Sequence, residues 1–470
     1  MKKIFFLIIG IIMPLTQVYA SKSCSDEVFV RRAYLATTGA LPTPEKCMQF
    51  FNDNRINKRE VLIKELLNSE LHRDFVVMHW GDILRIKSEF PSNLWPNGVQ
   101  AYNRWIYAHI LHNTPYNLMI RELLLSQGSN FRSPAVNFYR GFQQKTANNF
   151  YTNINLLFLG TRNANDNGHH CFSQIKFKST KEWKEEIIYL DIHKVLPEEK
   201  IQLSDGTTLQ LEKETDWRTK YVDWLTSSRN RRFAEVMVNR IWYWVFGKGI
   251  VNEVDDWRKD NPPTDAKLLK SLTDYFISSN FNMKLLWQKI LLSDDFQDES
   301  YPVGNYKPQR LPAEVIVDAI ASVTGSWQTY HSRVPEPFTY YPPETRAIQL
   351  GDGTVSSTEL ELFGKVSRDV SLESQRNNTI TSRQLLYLMN SSDLEQRIRT
   401  SQKLKTICQQ SKNISQLAHA ITLLTLSRKA TPDEITLYKQ YKLQNKMSMK
   451  ELATDILWMQ INSNEFLYNH

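Results

Sequence analysis

The side chains best equipped for chemistry lie in one irregular stretch. Glu336, Glu344, Arg346, Asp352, Ser356, Ser357, Glu359, Glu361, Arg368, Asp369, Glu373, Arg376, Asn377 and Asn378 fall between positions 336 and 378, interleaved with Phe338, Tyr340 and Tyr341. Aromatic faces stack on sugar rings, and carboxylates accept from hydroxyls or coordinate hard cations. Glu344, Arg346, Asp352, Glu361, Arg368, Asp369, Glu373 and Arg376 are therefore the candidate ligand-binding residues. A divalent cation could sit among them, but the spacing of a calcium-binding helix-loop-helix is missing, so no metal centre is assigned. The same acids could build a paired-carboxylate hydrolase, a chemistry decided by separation in space. The alternative is a loop held by its own polar network, with Arg368 and Asp369 as an internal ion pair. No catalytic residue is assigned.

Two smaller clusters carry polar chemistry. NRIWYWVFGKG at 239–249 opens with Asn239 and Arg240, and Asp255 and Asp256 follow. Arginine pairs bidentately with carboxylates, and buried charge is tolerated when paired. Arg240 could meet Asp255 or Asp256 and leave the other carboxylate for a ligand, or the pair could simply lock the loop after the helix. His169, His170 and Cys171 could ligate a soft metal, but adjacent ligands point apart and no distant partner is evident. The glycines of 247–249 lack Walker spacing, and the chain has neither a Gly-x-Ser-x-Gly elbow nor a His-Glu-x-x-His helix.

The elements that must position these groups are mostly helical. Apolar stripes at helical period run through 58–69, 104–111, 118–125, 233–246, 266–278 and 283–292. Asn153 to Gly160 reads as the end of a buried helix. Alternation at 186–192 and 201–211, with Asp205-Gly206 between two runs, predicts a hairpin. Thr431-Pro432 with Glu434 predicts a capping box, and Thr43-Pro44-Glu45 uses most of the same device. LLNSEL at 66–71, LLSDDF at 291–296 and QINSNEF at 460–466 echo one another, through common capping chemistry or a duplicated helical hairpin. The expected fold is mainly α: two packed helical domains at 21–180 and 213–470, a small β-hairpin insertion at 181–212 between them, and a long irregular loop region in the second.

Composition agrees with a folded two-domain chain. The 470 residues include 41% hydrophobic and 23% charged positions, which excludes a mainly disordered chain and a polytopic membrane protein. Lys and Arg number 58 against 50 acids, a net charge of +8, but no basic stripe with stacking aromatics is present, so no nucleic-acid partner is expected. Residues 1–20 have a basic start, an apolar core and Val18-Tyr19-Ala20, the pattern of a cleaved export signal. Export to a periplasmic or extracellular space follows, with no transmembrane segment after cleavage. In an oxidising compartment thiols tend to pair, and Cys24 and Cys47 are the candidate disulfide. Cys171 and Cys408 are read as isolated thiols.

At this point the longer strings carry a resemblance. CSDEVFVRRAYLATTGALPTPEKCMQFFND, HWGDILRIKSEF and NRWIYAHILHNTPYNLMIRELL resemble the N-terminal domain of a secreted, planctomycete-type two-domain family of unknown function. WRTKYVDWLTSSRNRRFAEVMVNRIWYWVFGKGIVNEVDDWRKDNPP, PQRLPAEVIVDAIASVTG, LLYLMNSS and INSNEFLYNH are similar to its partner C-terminal domain. The resemblance implies no established activity. It implies a setting of polysaccharide catabolism beside secreted sulfatase-like proteins, and so a glycan or such a protein as partner. Relatives often carry a cytochrome c domain or a Cys-x-x-Cys-His haem motif. Aligned from Phe158-Leu159-Gly160, those cysteine positions fall here on Asn165 and Gly168, with only His169 kept, so covalent haem is not expected and no cofactor is predicted. Three functions stay open: an accessory protein binding a carbohydrate or partner protein, a glycan hydrolase using the 336–378 carboxylates, and a scaffold without a small-molecule site.

Overall fold

Ser25 accepts a hydrogen bond from the Val28 amide and so starts the helix Asp26–Thr38, which Gly39 ends in the left-handed conformation. Nearly every side of this helix is buried. It packs on Pro44–Phe51, Lys58–Leu67 and Glu70–Ile83 from its own half, and on Arg231–Phe246 and the strand Tyr468–Asn469 from the other. The computed structural model describes residues 23–162, 166–182, 184–196, 199–300, 304–332, 334 and 340–470. Among these residues there are 22 α-helices and only sheets of two or three strands. Residues 1–20, read as an export signal, and Asn165, Glu336 and Phe338 lie outside the described residues.

The predicted hairpin is present, with Lys200–Gln202 antiparallel to Thr208–Gln210 and Gly206 at φ 87° in the turn. The alternating run at 186–192 belongs to a separate sheet. Glu186–Leu190 is the central strand of a three-stranded sheet, between Gly128–Ser129 and Ile175–Ser179. The β-structure therefore reaches back into the stretch read as purely helical. Polar alternation in Ile175–Ser179, with two lysines, hid a strand that buries one face only.

The three echoed segments use one device. Ser69, Ser293 and Ser463 each donate to the carbonyl three residues back, at 2.6, 2.7 and 2.7 Å, closing one helix. Each also accepts from the amide three residues on, starting the next helix. A single hydroxyl thus satisfies groups orphaned at both helix ends. The Thr431 capping box and the Thr43 cap form as expected.

Several arginines are inside the protein, at helix C-termini. Arg31 (1% exposed) donates to the Thr425, Glu465 and Phe466 carbonyls, and Arg32 (0%) to those of Phe296 and Asp298. Arg218 donates to the Leu124, Leu125 and Ser126 carbonyls at 3.1–3.2 Å, where the helix Tyr116–Leu125 ends. These carbonyls have no partner within their own helices, and the helix dipole puts negative potential there, so a guanidinium satisfies both. Replacing Arg218 by Met should lower stability by about 3 kcal/mol, because buried acceptors and Asp216 lose a charged donor. The exposed Arg231→Met should stay within about 0.5 kcal/mol. Urea denaturation of both variants checks the contrast.

Cys24 and Cys47 do not form the disulfide expected of them: both are free and buried. Cys24 is held before the first helix, where its amide donates to the Gln297 carbonyl and its carbonyl accepts from Arg59. Cys47 faces Ser427 and Arg31 from the helix Pro44–Phe51. The two thiols are committed to different neighbours. Cys171 is also buried and Cys408 half-buried. Titration without reductant should count four thiols after unfolding and only Cys408 reacting quickly before it. A protein mass two hydrogens short would contradict this.

Candidate functional site

Arg368 and Arg376 of the irregular stretch turn inward and meet carboxylates of both halves of the chain. Arg368 donates to Asp82 Oδ1 at 2.9 Å and to the Ile86 and Gly351 carbonyls. Arg376 donates to Asp82 Oδ2 at 2.5 Å and to Glu314 Oε2 at 2.7 Å. Asp82 is on the helix Glu70–Ile83 and Glu314 on Ala313–Thr324, so one guanidinium ties two helices together. Gly81 makes the approach possible, since a Cβ there would lie 2.9 Å from the Arg368 guanidinium. Burial would push the Asp82 carboxyl up, but Arg376 and Arg368 outweigh it and hold the group below the usual carboxylate range.

The Arg240 cluster adjoins this network. Arg240 meets Asp255 at 3.3 Å and the Leu157 carbonyl at 3.0 Å, and its Nε lies 3.6 Å from Glu373. Asp256 is not part of it; that carboxylate pairs with Arg258 near the surface. Asp255 also accepts from the Glu373 amide at 2.7 Å, and Glu373 Oε1 accepts from Trp244 Nε1. Asn239 exchanges two hydrogen bonds with the Val251 backbone and only fixes the loop. Both carboxylates near Arg240 are thus occupied internally. Burial pushes Glu373 up to about 8, against the pull of Arg240. It likewise raises Asp318 to about 7, although the Ala347 and Ile348 amides donate to it.

The remaining candidates scatter. Asp352 is buried and accepts from the Ser88 and Thr354 amides. Asp369 pairs with Lys87 at 2.7 Å. Arg346 lies over the Trp327 ring, while Glu344 and Glu361 are exposed and away from the ion pairs. No group of three or more His, Cys, Asp or Glu able to hold a metal occurs among the described residues. At Gly168, a Cβ would lie 2.4 Å from the Tyr151 ring, so this packing has no room there for a side chain.

Two clefts flank a neighbouring segment that the sequence reading passed over. One, of about 530 Å³, is lined by Glu89, Phe90, Asn93, Trp95, Arg140, Lys184 and Glu186 among others. The other, of about 200 Å³, includes Pro96, Asn103, Arg104, Tyr340, Tyr341 and Asp352. The loop between the helices Glu70–Ile83 and Pro96–Leu111 is closed by hydrogen bonds from the Asn93, Leu94 and Trp95 amides to the Glu89, Lys87 and Ser88 carbonyls. Asn93 (φ 52°) and Trp95 (φ 66°, ψ 152°) occupy backbone regions that bulky residues rarely adopt. The result turns Trp95 onto the rim, with Lys184 Nζ 5.2 Å from its ring, and leaves Phe90 71% and Tyr340 73% exposed. Positive φ at a tryptophan has no sequence signature, which is why the segment read as mere connection.

Residues 13–176 match the family model PSCyt2: Protein of unknown function (DUF1549), and residues 217–442 match PSD1: Protein of unknown function (DUF1553). The chain belongs to this two-domain family of unknown function. No curated protein and no solved structure matches it. The Asp82 ion pairs join the family's two matched segments, since Asp82 lies in the first and Glu314, Arg368 and Arg376 in the second.

The raised Glu373 carboxyl makes stability depend on pH. The native state keeps a proton that the unfolded chain releases near pH 4.3, so stability falls as pH rises until about 8. The slope can reach about 1.4 kcal/mol per unit. His72 and His79, held neutral by burial down to about 4 and about 3, act oppositely but only below about 6.5. Glu373→Gln, which keeps an acceptor for Trp244, should flatten the stability decline between pH 7 and 8, above the range in which the raised Asp318 carboxyl adds to it. Urea midpoints across that window measure it.

Proposed function

We propose that the chain is an exported accessory protein that binds a carbohydrate at the clefts around Trp95. The observation that carries this reading is the strained backbone that sets Trp95 on a hydrogen-bonded rim beside exposed Phe90. Unusual φ/ψ persists where the surroundings over-determine it, and such residues cluster at ligand clamps. An exposed aromatic face next to amide and carboxylate side chains suits a sugar ring, apolar on one face and ringed by hydroxyls. Asn93 and Glu89 supply such groups in the first cleft, Asn103 and Arg104 in the second. The ligand region thus moves from the 336–378 acids to their neighbour. A hydrolase built on those acids loses support from the geometry, because Asp352, Glu359 and Glu373 are buried in their own hydrogen bonds.

Export, read from residues 1–20, belongs to the same proposal. In the described residues no helix is long and apolar enough to cross a membrane. Titrating residues 21–470 with neutral and sulfated oligosaccharides, followed by calorimetry and thermal unfolding, tests the binding. At least one class should bind, and Trp95→Ala should weaken it roughly tenfold, the loss of one stacked aromatic. Equal affinity in the variant, or no binding by any class, would sink the reading.

A further inference from the structure

A small cavity of about 40 Å³ lies where the chain's two halves meet, sharing no lining residue with either cleft. The helices Asp26–Thr38, Glu70–Ile83 and Arg231–Phe246 contribute to its wall, with Gln309–Arg310, Arg376, Asn378 and Asn469. Its volume admits one or two water-sized species.

Arg310 sets this cavity apart. The other deeply buried guanidiniums are better supplied: Arg31, Arg32, Arg218, Arg368 and Arg376 each make at least three hydrogen bonds, and Arg240, which makes two, has Asp255 and Glu373 beside it. Arg310, 6% exposed, makes one, from Nη2 to the Phe363 carbonyl at 3.0 Å, and stands 5.7 Å from the Phe363 ring. Among the described residues it has no carboxylate partner, and its Nη1 has no hydrogen-bond partner. Four further cavity-lining residues carry unpartnered polar atoms: Arg376 at Nε, His79 at both ring nitrogens, and Asn378 and Asn469 at Oδ1, where an amide turned about its last bond presents its NH2 instead.

Charge balance gives the deficit a sign. Arg368 and Arg376 are matched by Asp82 and Glu314, two against two. Arg310 adds a third cation with no acid of its own. An uncompensated buried charge is costly, and unpaired buried donors add to the cost. An acceptor-only guest of unit negative charge answers both, and the volume limits its size.

We propose that this cavity binds a small monovalent anion of halide size, held by Arg310 with Arg376 Nε and a His79 N–H. Such an ion would touch elements from both halves of the chain and so stabilise their junction. A sufficient test uses bromide as the probe. Crystals of the chain grown in sodium bromide should show an anomalous peak within hydrogen-bond distance of Arg310. The unfolding midpoint should also lie a few degrees higher in sodium bromide than in sodium gluconate, whose anion is too large, at equal ionic strength. Arg310→Met should abolish that difference. A cavity holding only water in the bromide crystals, or equal midpoints for the unmodified chain in the two salts, would overturn the proposal, and neither measurement depends on the variant folding.

Discussion

Asp82 takes two guanidiniums from residues nearly three hundred positions away, Arg368 at one oxygen and Arg376 at the other. Most of the architecture is arranged around that double contact. Arg376 extends it to Glu314, Arg368 to the Ile86 and Gly351 carbonyls, and the Asp255–Arg240–Glu373 cluster backs it. A buried pair of this kind adds little net stability over a well-packed apolar equivalent, because desolvation offsets the Coulomb attraction. Its cost if broken is large, and its geometry is directional. It therefore selects one way of joining the two halves rather than merely strengthening the join.

The same residue type solves a second problem. A chain of many short helices carries many C-terminal carbonyls without partners, and some of these ends are interior. Arg31, Arg32, Arg218 and Arg240 reach across the fold and donate to those carbonyls. The serines at 69, 293 and 463 do the equivalent work where one helix follows another directly. Part of the chain's basic charge thus serves backbone acceptors inside the fold.

These constraints also shape the clefts around Trp95. An irregular stretch consumed by internal ion pairs becomes a rigid wall, and the loop 84–95 leans on it through Asp352, whose carboxylate receives the Ser88 amide. A wall of that stiffness can hold Trp95 and Asn93 in backbone conformations they would not choose alone. The aromatic rim is thereby preorganised, and preorganisation reduces the ordering cost of binding.

The sequence by itself determined the helical class, the caps at Thr43 and Thr431, the Asp205-Gly206 hairpin and the family. Each of these depends on neighbours within a few positions, so local periodicity and turn chemistry report it. It also marked 336–378 as rich in polar groups and Arg240 as a partner for Asp255 or Asp256, without choosing between them. Tertiary structure decided the rest. Asp82 and Glu314 sit inside helical runs where a lone acid looks like a solvent-facing position, and only packing shows that each answers a distant arginine. The strand Ile175–Ser179, the separation of Cys24 from Cys47 and the turn of Trp95 onto the rim were equally out of reach. Ion pairing, thiol proximity and strained φ are settled by what the fold brings together, and side chains remote in sequence carry no local trace of their partners.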